Sequence, residues 1–406
     1  MSLAELSREA VAALSAHRLR SFLTLLGIII GVGTLVGVVS VITGLNAYVR
    51  ERVIQLAPDV YVVQKFGIIQ SRDEFMDARK RRDIDWNDYA KLRANLERAD
   101  TVAADATSNT TVKRLDHRLA DVRVHGTTAN YAALMRLDIE AGRFFTPGED
   151  QAGRAVAVIG WDIRDELFGP LDPIGREMLV GSNRYRVIGL VAQQGRTLGQ
   201  SQDNQVWIPA QAYRRAFGSR RSIDVVVKAR GGVPGLEASV DEVRAVLRAL
   251  RHTSFNAPDP FGIVTVESLQ ELWGQISGAT VILSLLIASV SLGVGGIVIM
   301  NIMLVSVVER TREIGVRLSL GARKRDIRRQ FLLEAALLAL GGGVAGVLLG
   351  AGSAVGVEGV LNFPARVTPG IVLAGLALSV AVGLVAGYWP ARSASNLPVV
   401  EALRAE

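Results

Sequence analysis

The sequence predicts a membrane protein with four transmembrane α-helices and a large α+β extracytoplasmic domain between helices 1 and 2. Three observations carry this. Four stretches hold no Asp, Glu, Lys or Arg: Phe22 to Val49, Leu272 to Val308, Ala335 to Val357 and Val367 to Ala391. Each exceeds the roughly 20 residues that cross about 30 Å of hydrocarbon as a helix. With 49% hydrophobic residues and a mean hydropathy of +0.28, a wholly soluble protein is excluded. Second, Leu45 to Gly278 carries 32 Lys/Arg against 30 Asp/Glu, the composition of a near-neutral, water-facing block. Third, Ser306 to Arg329 holds eight Lys/Arg against three acids and supplies +5 of the +7 net charge. Basic loops stay on the cytoplasmic side of a membrane, whereas long domains translocate regardless of their own charge. Arg18 and Arg20 precede the first stretch, and a single Arg lies in the connection Glu358 to Arg366. Both termini and the 306–329 loop are therefore expected in the cytoplasm, and the large block outside.

Residues 1–20 read as a cytoplasmic amphipathic N-terminal helix. Ser2 and Glu5 have capping-box spacing, and Leu3, Leu6, Ala10, Ala13 and Leu14 share a stripe. A helix lying in the inner interface and a cytoplasmic extension of the first span both fit. Span one, 21–46, reads as an uncleaved anchor, because its apolar core is about twice the 7–15 residues of a signal-peptide core. The domain, 47–275, mixes strands and helices without strict alternation, hence α+β. Strand candidates are Val60 to Phe66, Val122 to Gly126, Ala155 to Ile159, Arg184 to Leu190, Val206 to Ile208 and Ile223 to Val227. A helix capped by Asp83 or Asp85 is expected through about Arg98, and another over Pro234 to Leu250.

Span two with its stalk, 276–308, sits in 37 consecutive uncharged residues, about 55 Å of helix. Tilt does not absorb that length. The helix is expected to start above the membrane and enter near Val281; a break near Gly278 is the alternative. A cytoplasmic loop, 309–328, follows, then span three, 329–357, with Asp326 as its expected cap. A short outer loop, 358–369, span four, 370–389, and a cytoplasmic tail, 390–406, complete the chain. Gly27 and Gly31, Gly342 and Gly346, and Gly383 and Gly387 are pairs spaced by four, so each pair lies on one helix face and permits close helix packing. The same spacing suits a dimer seam.

Catalytic and nucleotide-binding patterns are absent from the sequence. No Lys follows a Gly, so there is no GxxxxGKS/T phosphate loop. The four histidines, His17, His117, His125 and His252, have no metal-ligand spacing. With no Cys there is no thiolate chemistry or disulfide. No charge sits in the central part of a span, which disfavours an ion-coupled polar route through the bilayer. The basic residues lack the interleaved aromatics of a nucleic-acid face. The chain is therefore expected to be neither an enzyme nor a nucleic-acid binder, with no catalytic, metal or cofactor-binding residues of its own.

The loop from Glu309 reads ERTREIGVRLSLGARKRDIRRQFLL. Ile314, Leu318 and Leu320 suggest an apolar face, and Gly321 suits the left-handed residue that stops a helix. A lipid-facing basic loop would explain the cations. It would not explain the interspersed acids or the stop, which suit a short helix that docks a cytoplasmic partner.

The stretch ERTREIGVRLSLGARKRDI resembles the most diagnostic motif of the MacB/FtsX/LolC-type (type VII) ABC transporter permeases. HRLRSFLTLLGIIIGV, His17 to Val32, resembles that family's entry into its first span, and GYWPARSASNLPVVEALRAE, Gly387 to Glu406, its tail, in which a Pro-Ala pair ends span four. Gly142-Arg143-Phe144-Phe145, Ala157-Val158-Ile159-Gly160, Leu167-Phe168-Gly169, Pro173-Ile174-Gly175, Val187-Ile188-Gly189 and Ile208-Pro209 are similar to the MacB periplasmic core, in the same order. Ser319 and Trp389 depart from the expected Ala and Tyr-like residue.

The resemblance implies a dimer of four-span subunits, here expected to be a homodimer, in the bacterial inner membrane. Each subunit pairs with a cytoplasmic ABC ATPase that binds ATP and Mg, here on a separate chain as in the split form of the family. It makes Glu309, Arg310, Arg312, Glu313, Ile314, Gly315, Arg317, Leu318, Gly321, Ala322 and Arg323 the ATPase-coupling segment. It places a central lobe of the outer domain at about 142–222. The implied function is export by mechanotransmission, in which ATP-driven closure moves the outer domain and expels a drug, peptide or lipoprotein. A periplasmic adaptor and an outer-membrane channel belong to that picture where the host has an outer membrane. The alternative is an FtsX-like regulator that activates an extracytoplasmic hydrolase without moving cargo.

Overall fold

The computed structural model describes residues 18–49, 57–197, 200–361, 365–398 and 402. The expected N-terminal amphipathic helix and most of the tail after residue 398 lie outside them. The chain divides into two units, one from Met1–Tyr48 and Gln275–Glu406, the other Val49–Gly274.

The second unit is built on a ten-stranded mixed sheet. Its strands are β1 (Val60–Gln64), β2 (Ala99–Arg114), β3 (His117–Thr127), β4 (Ile139–Gly142), β5 (Val156–Ile159), β6 (Glu177–Val180), β7 (Asn183–Val191), β10 (Gln205–Pro209), β11 (Asp224–Ala229) and β12 (Gly262–Thr265). A separate two-residue ribbon pairs β8 (Arg196–Thr197) with β9 (Gln200–Ser201). Six strands close on themselves. β2 pairs β3, β3 pairs β10, β10 pairs β5, β5 pairs β7, β7 pairs β6, and β6 returns to β2 through Val112↔Val180 and Lys113↔Leu179. Closure removes the exposed strand edges that invite aggregation. The first half of β2 pairs instead with β11, and through it with β1 and β12. A register shift between Thr110 and Val112 marks where β2 bends from the open sheet into the barrel. The expected central lobe, 142–222, contributes β5, β6, β7 and β10; β2 and β3 lie ahead of it.

Two helices show how local chemistry sets boundaries. In α3 (Trp86–Asn95) the cap is Asp85, whose carboxylate accepts from the Asn87 and Asp88 amides while Asp88 reaches back. The other candidate, Asp83, pairs with Lys65 at 2.8 Å. The helix ends short of Arg98, and Tyr89 and Leu92 are buried against the sheet. α8 (Leu236–Leu250) puts Val243 and Leu247 into the same core. The other helices of this unit are α2 (Arg72–Lys80), α4 (Tyr131–Leu134), α5 (Pro147–Ala152), α6 (Trp161–Phe168) and α7 (Ala210–Phe217).

Four helices are long and apolar enough to cross a membrane, α1 (Arg18–Tyr48), α9 (Val266–Glu309), α11 (Lys324–Leu361) and α12 (Pro369–Ser395), with the short α10 (Thr311–Ser319) between α9 and α11; all belong to the first unit except the start of α9, up to Gly274. α9 starts ten residues ahead of the expected 276. There Thr265 and Ser268 cap each other, the Ser268 amide donating to Thr265 Oγ1 at 3.1 Å and the Thr265 amide to Ser268 Oγ at 2.9 Å. Its 44 residues run unbroken through Gly278, about 66 Å of helix, so the alternative of a break does not hold. Asp326 is not the cap of α11. It lies in the first turn, its amide donating to the Arg323 carbonyl at 2.8 Å, where its charge favours the helix dipole. Pro390 does not end α12. It is buried inside the helix, which continues to Ser395, as membrane helices allow when neighbours satisfy the freed backbone.

Small residues let these helices touch. A Cβ on Gly27 would stand 2.9 Å from the Gly295 backbone, one on Gly350 2.6 Å from the Gly33 carbonyl, and one on Gly346 2.9 Å from Val32. Gly31 faces Leu292, Gly342 faces Ile28, Gly383 faces Ala339 and Gly387 faces Ala335. All six glycines of the expected packing pairs thus meet neighbours within their own chain, through close backbone approach.

Candidate functional site

The segment Glu309 to Arg323 forms one tight structure. α9 ends at Glu309, and Arg310 opens α10, its carbonyl accepting from the Ile314 amide at 3.0 Å. α10 stops in a full Schellman motif. The Ala322 amide bonds the Arg317 carbonyl at 3.0 Å, the Gly321 amide bonds Leu318 at 3.1 Å, and Gly321 takes φ +94°, a conformation natural to glycine.

The helix has two unlike faces. Inward, Ile314 is buried in a cluster with Met303, Val307, Ile327, Phe331 and Ala394, and Leu318 and Ala322 pack on its margin. Gly315 lies against the tail, where a Cβ would stand 2.7 Å from that of Ala402. Polar bonds fasten the same side. Arg310 pairs with Glu334 at 3.4 Å, and Arg317 donates to Gln330 at 2.7 Å and pairs with Glu313. Outward, Glu309, Arg312, Val316, Ser319, Leu320 and Arg323 are exposed, Val316 by 42% and Leu320 by 83%.

This corrects one expectation. Leu320 is not on the face of Ile314 and Leu318, because six residues advance a helix by about 240°; it stands instead one turn beyond Val316. The expected coupling residues therefore divide. Ile314, Gly315, Leu318 and Ala322 hold α10 to the bundle. Arg310, Glu313 and Arg317 orient it, and Gly321 ends it. Glu309, Arg312 and Arg323, joined by Val316 and Leu320, make the free surface.

A second polar cluster, unsuspected from the sequence, lies inside the sheet domain. Asp105 on β2 faces His125 on β3, Nδ1 to Oδ2 being 2.9 Å, and accepts from the Tyr131 hydroxyl at 3.2 Å. Asp224 on β11 is Asp105's register partner. Burial, followed by the nearby Asp105 charge and partly offset by His125, pushes the Asp224 carboxyl up to about 7. Burial and Asp105 likewise raise the Tyr131 phenol. The ring of His125 stacks on Trp207 at 5.7 Å. Among the described residues no group of three or more His, Cys, Asp or Glu could hold a metal ion. His125 stands alone in sequence between Val124 and Gly126, and only strand pairing brings the acids to it.

A family model for the MacB-like periplasmic core domain matches residues 21–250, and one for the FtsX-like permease C-terminal region matches residues 285–399. The ABC transporter permease YknZ of Bacillus subtilis is 31% identical over 412 residues, all of this chain and all of that one. The chain belongs to the MacB/FtsX family of ABC transporter permeases. This permease is also 32% identical over 396 residues to the macrolide export ATP-binding/permease protein MacB of Bdellovibrio bacteriovorus, and 35% over 411 residues to that of Rhodospirillum rubrum. It covers 97% and 100% of itself in those matches, but spans only about 60% of the MacB proteins' length. Among solved structures, the periplasmic region of MacB from Actinobacillus actinomycetemcomitans aligns with a TM-score of 0.45 at 16% identity, over 55% of this chain and 95% of that one. The extracellular domain of YknZ aligns at 0.41 and 18%, over 50% and 100%.

Proposed function

We propose that this permease is a mechanical transducer of an ABC exporter. The free face of α10 receives a cytoplasmic ABC ATPase, and the motion of its ATP cycle passes through the helix bundle to the outer domain, which expels cargo without a path between the spans. The observation that carries the reading is the division of α10: its inner face is anchored by Ile314, Arg310 and Arg317, while Arg312, Val316 and Leu320 stand free. Val316 and Leu320, one helical turn apart and flanked by charges, offer the ATPase an apolar contact on an otherwise polar face. A second copy of the chain, a periplasmic adaptor and an outer-membrane channel complete the proposed machine, with ATP and Mg on the ATPase.

Export is preferred to hydrolase regulation because the MacB relatives are named for macrolide export and match nearly the whole chain. The test is co-purification. V316D/L320D is expected to reach the membrane at the normal level and to lose its ATPase. I314D, which strikes the buried face, is expected to lower the amount of folded protein itself. An ATPase that stays bound to V316D/L320D would overturn the docking assignment.

A further inference from the structure

One end of the barrel carries a cluster of cations that the transducer reading does not use. Lys113 lies directly opposite Arg118 on β3 and opposite Leu179 on β6; Leu179 in turn lies opposite Arg184 on β7. These four positions form one row across four neighbouring strands, and their side chains share the outer face, since Val112, Met178, Val180 and Tyr185 on either side of them are buried. Like charges directly opposite each other in a sheet are destabilising. Here Lys113, Arg118 and Arg184 form no ion pair among the described residues.

The row borders an open recess of about 420 Å³, lined also by Arg114, Leu115 and Arg176, with Glu177 the one acid in its wall. Two of the arginines are held in place. Arg114 donates to the Leu167 carbonyl at 3.1 Å and stacks over the Phe168 ring, and Arg176 donates to the Asp172 carbonyl at 2.8 Å. Each bond uses one of five guanidinium donors. This concentration of charge belongs to a domain whose cations and anions otherwise balance. At the rim, Leu115 is 84% exposed and takes φ +51° in the two-residue turn between β2 and β3, a left-handed position where Gly or Asn is at home and Leu is strained. Strain and apolar exposure coincide beside the cations.

We infer that this recess binds an amphiphilic organic anion, its phosphate or carboxylate held by Lys113, Arg176 and Arg184 and its apolar body against Leu115 and Leu179. The site lies wholly within the sheet domain and stands apart from the docking proposal; neither needs the other, and no ATPase is required to observe it.

The experiment titrates the full chain in zwitterionic nanodiscs with 1-naphthyl phosphate, 1-naphthoate, inorganic phosphate and 1-naphthol. The naphthyl anions are expected to bind, with the tighter of the two naming the head group, and to weaken at least tenfold between low and high salt. K113E/R184E is expected to weaken them at least tenfold with the thermal unfolding of the domain unchanged. L115G, which suits the turn, is expected to weaken the naphthyl anions several-fold and leave inorganic phosphate as it was. Unchanged affinity in K113E/R184E overturns the site. So does 1-naphthol or inorganic phosphate binding as tightly as the naphthyl anions. Capture of an acidic peptide in place of the naphthyl anions would also overturn it and make the surface a protein contact.

Discussion

Asp224 shows how one residue acquires a property that its neighbours in sequence do not give it. Flanked by Ile223 and Val225, it reads as the start of a strand. Strand pairing sets it beside Asp105 in a water-poor site, and its carboxyl holds a proton to about pH 7. The unfolded chain releases that proton near the ordinary aspartate value, about 4. Between those values the folded state binds more protons than the unfolded one, so this residue lowers stability as pH rises from about 4 to 7. D224N, neutral at every pH, is expected to raise the domain's Tm at pH 8 and to leave it unchanged at pH 4. Differential scanning calorimetry at both values decides it, and an equal difference at both would refute the burial argument.

At the scale of elements, α9 and α10 make opposite uses of glycine. Gly321 ends α10 because it takes a left-handed φ and lets the Ala322 and Gly321 amides close back on the helix. Gly278 ends nothing, for α9 runs through it with no atom within 4 Å of an added Cβ. Replacing it by Ala meets no obstacle and is expected to strengthen the helix by up to about 1 kcal/mol. If α9 transmits motion as a rigid rod, G278A keeps the ATPase coupled to transport. Uncoupling in G278A, with the ATPase still bound, would instead mean that the rod must bend there.

For the whole molecule, the unpartnered surface of α9 is the informative feature. Leu283, Leu286, Val290, Val294 and Ile297 are each more than half exposed and recur at spacings of three and four, one continuous stripe. The opposite stripe, Ala288, Leu292, Ile299 and Met303, is buried in the subunit. If the proposed second copy packs on α9, this stripe is the face it would cover. The absence of cysteine gives a clean background for testing it. V290C is expected to form a disulfide-linked dimer in native membranes and A288C is not; monomeric V290C would place lipid, rather than a second subunit, on this face.

The spans were legible because hydrocarbon imposes a rule on consecutive residues: about 20 without charge, in Phe22 to Val49 and three stretches like it. The stop at Gly321 was legible because a cap is written within a few residues, and the loop's order of acids and cations pointed to the family. Strand β2 was not legible. ADTVAADATSNTTVKR carries β-branched Thr and Val but no sustained apolar alternation, and its Ala, Asp, Ser and Asn are poor strand formers; it is a strand because β3, β11 and β6 pair with it. The free face of α10 was hidden for a similar reason. Leu320 and Leu318 are equally apolar, and only the bundle on one side determines which is buried. The number of apolar helices and the stop of α10 follow from residues close together in the chain, because solvation and capping act locally. Which α10 side chains face outward, the closure of the barrel and the cationic row at its end were decided by tertiary structure, because each depends on strands or helices that meet from distant parts of the sequence.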